Sequence, residues 1–176
     1  SQIIKKYFKN NMKELNINVV FTGKNSMTGG RIKRLEKLLD KERFLLTYGD
    51  GLCNVNLKKL INFHITNKNH VTLTAVRPPA RFGGIKISGS KVKYFKEKSS
   101  LDEGWINGGF FVLKSKVFDY LLEDQKCIFE REPLQNLSNE GQLMAYKHEG
   151  FWHPMDTLRD KNFLNDMFNS GNKAWL

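Results

Sequence analysis

The stretch 43-RFLLTYGDGL-52 decides how the chain is read. Phe44, Leu45 and Leu46 form a short apolar run that stops at Tyr48-Gly49-Asp50-Gly51. An apolar run closed by glycine predicts a buried strand, here one ending at Asp50. Working outward, 17-INVVFT-22 reads as a strand, 23-GKNSMTGG-30 as a polar loop and 31-RIKRLEKLLDK-41 as an amphipathic helix. Ile32, Leu35, Leu38 and Leu39 fall on one face of that helix. Downstream, a second amphipathic helix carries Leu57, Leu60, Ile61 and Phe63 to Ile65, and 71-VTLTAVR-77 is an alternating, β-branched strand. This β-α-β-α-β order predicts an α/β fold with a parallel sheet and helical crossovers.

After Pro78-Pro79 the pattern changes. Segments 84–88 and 91–98 meet at Gly89-Ser90 as a hairpin, and 106-INGGFFVLK-114 is a further strand. Ser115 caps a helix through Leu122, and a helix around 130–141 stops at Gly141. Strand 142–149 and the turn 150-GFWHPMDT-157 lead into a last helix, 158–169. No repeat or linker divides the 176 residues, so a single domain is expected. A chain of this length buries roughly 70% of its unfolded surface, and 40% apolar residues with 13 Phe exclude disorder.

The formal charge is +11, but Lys and Arg are spread over the whole chain with no run of five like charges. That argues for a solvated surface and small anionic ligands rather than nucleic acid. No apolar run is long enough to span a membrane, so no membrane partner is expected. Cys53 and Cys127 lack metal or redox spacing and read as free thiols of a reducing, cytoplasmic setting.

Ligands of open α/β sheets gather beyond the carboxyl ends of strands, where Asp50 falls, and its flanking glycines (Gly49 and Gly51) admit a phosphate or metal close to the backbone. A turn or cap role fits Asp50 equally well. Asp156, between a strand and a helix, belongs either to an N-cap, with Asp156 or Thr157 satisfying first-turn amides, or to a magnesium–phosphate site as its second carboxylate. Ser26 to Arg31 form a hydroxyl- and glycine-rich loop opening a helix; without a Walker motif, a flexible capped loop fits it better on its own than an anion site. Glu97 and Lys98 could pair on the surface or serve sugar hydroxyls and phosphate. The glycines of 107-NGG-109 mark a bulge or the close approach of a ligand. The four histidines show no metal spacing, and none receives a role; His153 lies near the Asp156 turn.

Taken together, SMTGGR (26–31), FLLTYGDG (44–51), PPARFG (78–83), FKEK (95–98), INGGFFVL (106–113), EREPL (130–134) and GFWHPMDTLRDK (150–161) resemble the sugar-phosphate nucleotidyltransferases. The likeness is greatest to the branch that joins CTP to glucose 1-phosphate. It implies a Rossmann-like nucleotide-diphospho-sugar transferase fold, a mixed, mainly parallel sheet with helices on both faces. It implies transfer of CMP from CTP to glucose 1-phosphate, giving CDP-glucose and pyrophosphate, with Mg²⁺ as cofactor. Asp50 and Asp156 would hold the metal and, with Lys98, carry catalysis. Ser26, Arg31 and Gly49 would face the nucleotide, and Gly83, Glu97, Lys98, Asn107 and Glu132 the sugar phosphate. A homo-oligomer is expected of the complete protein.

The resemblance also implies an opening strand and a G-G-x-G-T-R phosphate loop, which this sequence does not contain. The chain is therefore expected to be N-terminally incomplete, lacking the first strands of the fold. Rival readings are a thymidylyl- or uridylyltransferase, a non-catalytic split or degenerate binding module, and a nucleic-acid binder. Incubated with CTP, glucose 1-phosphate and Mg²⁺, the 176-residue chain is expected to form no CDP-glucose; robust product by anion-exchange chromatography overturns that expectation.

Overall fold

A computed structural model describes residues 2–12, 14–39, 42–79, 84–96 and 104–176. In chain order the elements are α1 (Gln2–Asn11), α2 (Thr28–Lys33), β1 (Arg43–Leu46), β2 (Gly51–Cys53), α3 (Leu57–Asn67), β3 (Val71–Val76), β4 (Gly84–Ser88), β5 (Lys91–Lys96) and β6 (Ile106–Lys114). A 3-10 turn (Ser115–Tyr120) then precedes α4 (Glu132–Asn139), β7 (Leu143–Lys147), β8 (Trp152–Pro154) and α5 (Leu158–Asn169). The chain forms two compact units, Ser1–Leu39 with Phe118–Asn136, and Asp40–Val117 with Leu137–Leu176. No helix among the described residues is long and apolar enough to cross a membrane.

The larger unit is built on a four-stranded sheet of order β1-β6-β3-β7. β6 runs antiparallel to both β1 and β3, whereas β3 and β7 are parallel. Three strands therefore share one direction and β6 alone is reversed, so the expected mixed sheet is present with its reversed strand in the middle. The cause lies in the connection: β6 is preceded by the β4–β5 hairpin rather than by a crossover helix, and a hairpin can return a strand either way. Asn56 caps α3, its side chain accepting from Lys59 N at 2.9 Å. The helix lays Leu60 and His64 against β3, β6 and β7. Leu60, Val55 and Val112 form a buried cluster over which Ile61, Phe110 and Tyr146 pack. Each fully buried aliphatic side chain here contributes about 1.5–3 kcal/mol.

In the smaller unit, α2 begins inside the glycine-rich segment. A Cβ on Gly29 would stand 2.5 Å from Cys127 Sγ, and one on Gly30 would collide with the Asp124 carbonyl. The glycines thus let the helix backbone dock on the 124–129 loop. Met27 N donates to Gln125 O at 2.8 Å and Gly30 N to Cys127 O at 3.2 Å. Thr28 Oγ1 accepts from Phe129 N at 2.9 Å and donates to Glu130 at 2.5 Å.

Four expectations are corrected. Residues 17–22 have no ladder partner among the described residues, and without one there is no strand. The helix expected over 31–41 starts at Thr28 and gives way to turns after Lys33, because tertiary docking of Gly29 and Gly30 overrides their poor helix propensity. The strand expected to end at Asp50 is split: β1 stops at Leu46 and β2 starts at Gly51, with Asp50 in the bend between them. The helix expected from Ser115 to Leu122 is a single 3-10 segment ending at Tyr120.

His64 has no solvent exposure, and its Nδ1 lies 2.9 Å from Thr72 Oγ1. Burial, reinforced by the positive charges of Lys114, Arg43 and His70, lowers its pKa from the ordinary 6.5 to about 4. The unfolded chain therefore takes up a proton near pH 6.5 that the folded ring refuses until about pH 4. Stability is complete above the upper value and falls through this window on acidification, by about 1.4 kcal/mol per unit of depression. Urea unfolding at pH 7 and pH 5 should show a steeper acid loss for the native chain than for His64→Leu. Equal losses would refute the assignment.

Candidate active site

The larger unit contains a second, smaller ladder. β2 and β8 pair antiparallel, with Gly51 opposite Pro154, Leu52 opposite His153 and Cys53 opposite Trp152. Met155 N donates to Asp50 O at 2.8 Å, which carries the pairing one residue past Gly51. Asp50 and Asp156 consequently arrive at the same end of one ladder from opposite strands. Both are exposed.

The helix start beyond β8 determines what Asp156 does. Thr157 is the N-cap of α5. Its hydroxyl accepts from Asp160 N at 3.2 Å, and Asp160 Oδ2 accepts from Thr157 N at 3.0 Å. This reciprocal pair satisfies first-turn amides that otherwise lack partners. Capping therefore falls to Thr157 and Asp160, and Asp156 is not used as the cap.

The 107–109 segment adjoins this ladder. Trp152 Nε1 donates to Gly108 O at 2.9 Å, tying β8 to β6. A Cβ on Gly51 would stand 3.8 Å from that same indole nitrogen. Asn107 Nδ2 donates to Tyr48 Oη at 3.2 Å, while Asn107 Oδ1 accepts from Gly109 N at 2.9 Å. Of the two open readings of this segment, the bulge is present, as a register shift between Leu73 and Ala75 in the β3–β6 pairing. Gly108 makes room for Val76, whose Cγ1 a Cβ would approach to 2.7 Å. Gly109 has φ +80, and a Cβ there would run into the Tyr48 ring.

Gly49, Asp50, Asn107 and Asp156 are thus gathered in one locality. Ser26, Arg31 and Glu132 belong to the other unit. Ser26 is 4% exposed, and its Oγ lies 2.5 Å from Arg34 Nη1, so an expected nucleotide contact is a buried hydroxyl held by a neighbouring guanidinium. Arg31 is exposed, with Nη1 donating to Thr22 Oγ1 at 3.0 Å and Nη2 to Lys24 O at 3.4 Å. Glu132 is exposed in the first turn of α4. Gly83, Glu97 and Lys98 lie outside the described residues. Sequence reasoning passed over Tyr48, Trp152 and Asp160. The spacing Thr157-x-x-Asp160 was a readable capping signal; the tertiary contacts of Tyr48 and Trp152 left none.

Among the described residues, no three His, Cys, Asp or Glu side chains group as a metal cage. Two exposed carboxylates at one ladder end suit instead a hard cation that completes its shell with water and phosphate oxygens. Cys53, at the far end of the same ladder, is a free thiol whose pKa burial pushes up, so it stays protonated.

A sequence profile of the nucleotidyl transferase family matches residues 1–160. Over 161 residues the chain is 47% identical to a glucose-1-phosphate cytidylyltransferase of Salmonella typhi, covering 91% of this chain and 62% of that protein. It is 32% identical over 153 residues to the D-glycero-alpha-D-manno-heptose 1-phosphate guanylyltransferase of Aneurinibacillus thermoaerophilus, covering 85% of this chain and 64% of the relative. Among solved structures, HddC from Yersinia pseudotuberculosis complexed with GMP-PN superposes with a TM-score of 0.71 at 22% identity, covering 95% of this chain and 73% of that one. That last likeness is one of fold, a Rossmann-like α/β sheet. The chain spans less than two thirds of the length of the curated relatives named here.

Gly109→Ala tests the packing behind the site. A side chain at φ +80 against the Tyr48 ring should cost about 1–3 kcal/mol. An unchanged urea midpoint would count against this account of the 107–109 bulge.

Proposed function

This chain belongs to the nucleotidyl transferase family, and from that membership we propose that the protein transfers CMP from CTP to glucose 1-phosphate, releasing pyrophosphate and forming CDP-glucose. The observation that carries the proposal is the β2–β8 register, which delivers Asp50 and Asp156 to one ladder end. The likeness to a cytidylyltransferase, well above that to the guanylyltransferase, supports CTP over other nucleotides. The complete protein is read as one nucleotidyltransferase domain, a cytoplasmic homo-oligomer without nucleic-acid or membrane partners.

In the proposed reaction a phosphate oxygen of glucose 1-phosphate attacks the α-phosphorus of CTP in line. The new oxygen–phosphorus bond forms as the bond to the β-phosphate breaks, and pyrophosphate leaves with the electron pair. No covalent intermediate with the protein is needed. The protein's task is to bring two polyanions together and offset their repulsion. Asp50 and Asp156 would hold Mg²⁺, which when bound supplies charge neutralisation at the nucleotide phosphates. Lys98 would screen the attacking phosphate, while Glu97 and Gly83 would line the sugar pocket; Glu132 is assigned to the sugar phosphate from the resemblance alone. Asn107, fixed by Tyr48 and Gly109 N, would present its remaining hydrogen-bonding capacity to the sugar phosphate. Ser26, Arg31 and Gly49 are assigned to the nucleotide, with Ser26 acting through the backbone because its hydroxyl is buried.

The test uses the full-length protein. Asp50→Asn and Asp156→Asn should each lower kcat for CDP-glucose formation by on the order of a hundredfold, with folding preserved by circular dichroism. An Asp50→Asn enzyme keeping more than a tenth of native kcat would sink the metal assignment. Faster turnover with dTTP or UTP than with CTP would redirect the substrate.

A further inference from the structure

Asp156 sits between two pinned neighbours. On one side, Met155 N is bonded to Asp50 O at 2.8 Å. On the other, Thr157 is held twice by Asp160 Oδ2, through its amide at 3.0 Å and its hydroxyl at 2.7 Å. The second oxygen of the Asp160 carboxylate, Oδ1, faces His153 Nε2 at 3.3 Å. Both side chains are largely enclosed, at 14% and 11% exposure, so this contact is shielded from water.

The ring of His153 is itself held. Phe163 of α5 lies 4.7 Å away and Phe151 stacks at 6.5 Å, centroid to centroid. Leu52 faces His153 across the ladder. His153 belongs to β8 and Asp160 to the first turn of α5, so their contact closes the chain on itself around the turn that carries Asp156. Without it, Asp160 would keep its cap on Thr157, and the apolar packing of Phe163 on the His153 ring would remain between helix and strand, but the polar contact at the helix start would be gone.

We infer that His153 is a positioning residue: through Asp160 it fixes where the Asp156 carboxylate stands relative to Asp50, and so sets the affinity of that pair for a divalent cation. The inference rests on the functional reading above, since it takes the two carboxylates as the cation's ligands. Side chains that touch a ligand's support rather than the metal commonly shift metal affinity by about 10–100-fold. The geometry does not ask His153 to meet substrate or metal.

Titration of the full-length protein with Mn²⁺, following the free-ion signal by electron paramagnetic resonance, supplies a readout independent of turnover. His153→Asn keeps a polar side chain but cannot reach Asp160, and should weaken Mn²⁺ binding about tenfold. His153→Gln places an amide nitrogen near the position of Nε2 and should remain within threefold of native. A merely structural role would lower the melting temperature of both variants and leave Mn²⁺ affinity unchanged in the folded fraction, which overturns the inference. Equal weakening by Asn and Gln overturns it as well. Asp50→Asn and Asp156→Asn are run alongside. If these leave Mn²⁺ binding intact, the metal reading itself fails; if they abolish it while His153→Asn does not, only the role of His153 fails.

Discussion

The candidate site hangs on the register of a ladder only three pairs long. Gly51–Pro154, Leu52–His153 and Cys53–Trp152 fix which residues follow at its end, and Met155 N to Asp50 O extends it by one bond. Side chains alternate along a strand, so a slip of one residue would turn every side chain of β8 to the other face. Three pairs hold little by themselves, each hydrogen bond being worth about 1 kcal/mol net. The register is therefore enforced from outside the ladder. Trp152 anchors it to Gly108 O on one flank, and the capped start of α5 anchors it on the other.

Glycine plays a different part from the one its clusters advertise. SMTGGR and NGG both look like places where a ligand approaches bare backbone. In the folded chain the space left by Gly29 and Gly30 is filled by Cys127 and Asp124, and that left by Gly108 and Gly109 by Val76 and Tyr48. Protein, not ligand, comes close at all four. Their contribution to a site is indirect: Gly109 allows the Tyr48 ring to lie where its hydroxyl can receive Asn107.

Elements governed by local chemistry were legible in the sequence. The helix over 158–169, the hairpin about Gly89-Ser90, the strand at 106–114 and the Asn56-capped α3 all follow from periodicity and turn residues. Where tertiary contact competes with local preference, reading failed. Thr28-Gly29-Gly30 is helical because a loop a hundred positions away in the chain docks on it, and residues 17–22 have no ladder partner among the described residues although their pattern is strand-like. The same divide runs through the site. Asp50 and Asp156 could be picked out as a pair by chemical type and by their places next to strands. Their arrival at one ladder end depends on register, which no short window encodes. His153 received no role for a related reason, since its contact with Asp160 joins β8 to the next element, α5.

The β2–β8 pairing joins residues 51–53 to 152–154, with about a hundred residues of chain between them. Closing so long a loop for so short a ladder is entropically unfavourable until the intervening elements are in place. The local hairpin and the β3-flanking helix close short loops, whereas Asp50 and Asp156 reach one ladder end only once the long-range pairing forms. Assembly of the proposed cation site thus depends on a long-range pairing that is favourable only late in folding. A cation that bridges the pair would act on the folded side of the main barrier, slowing unfolding more than it speeds folding.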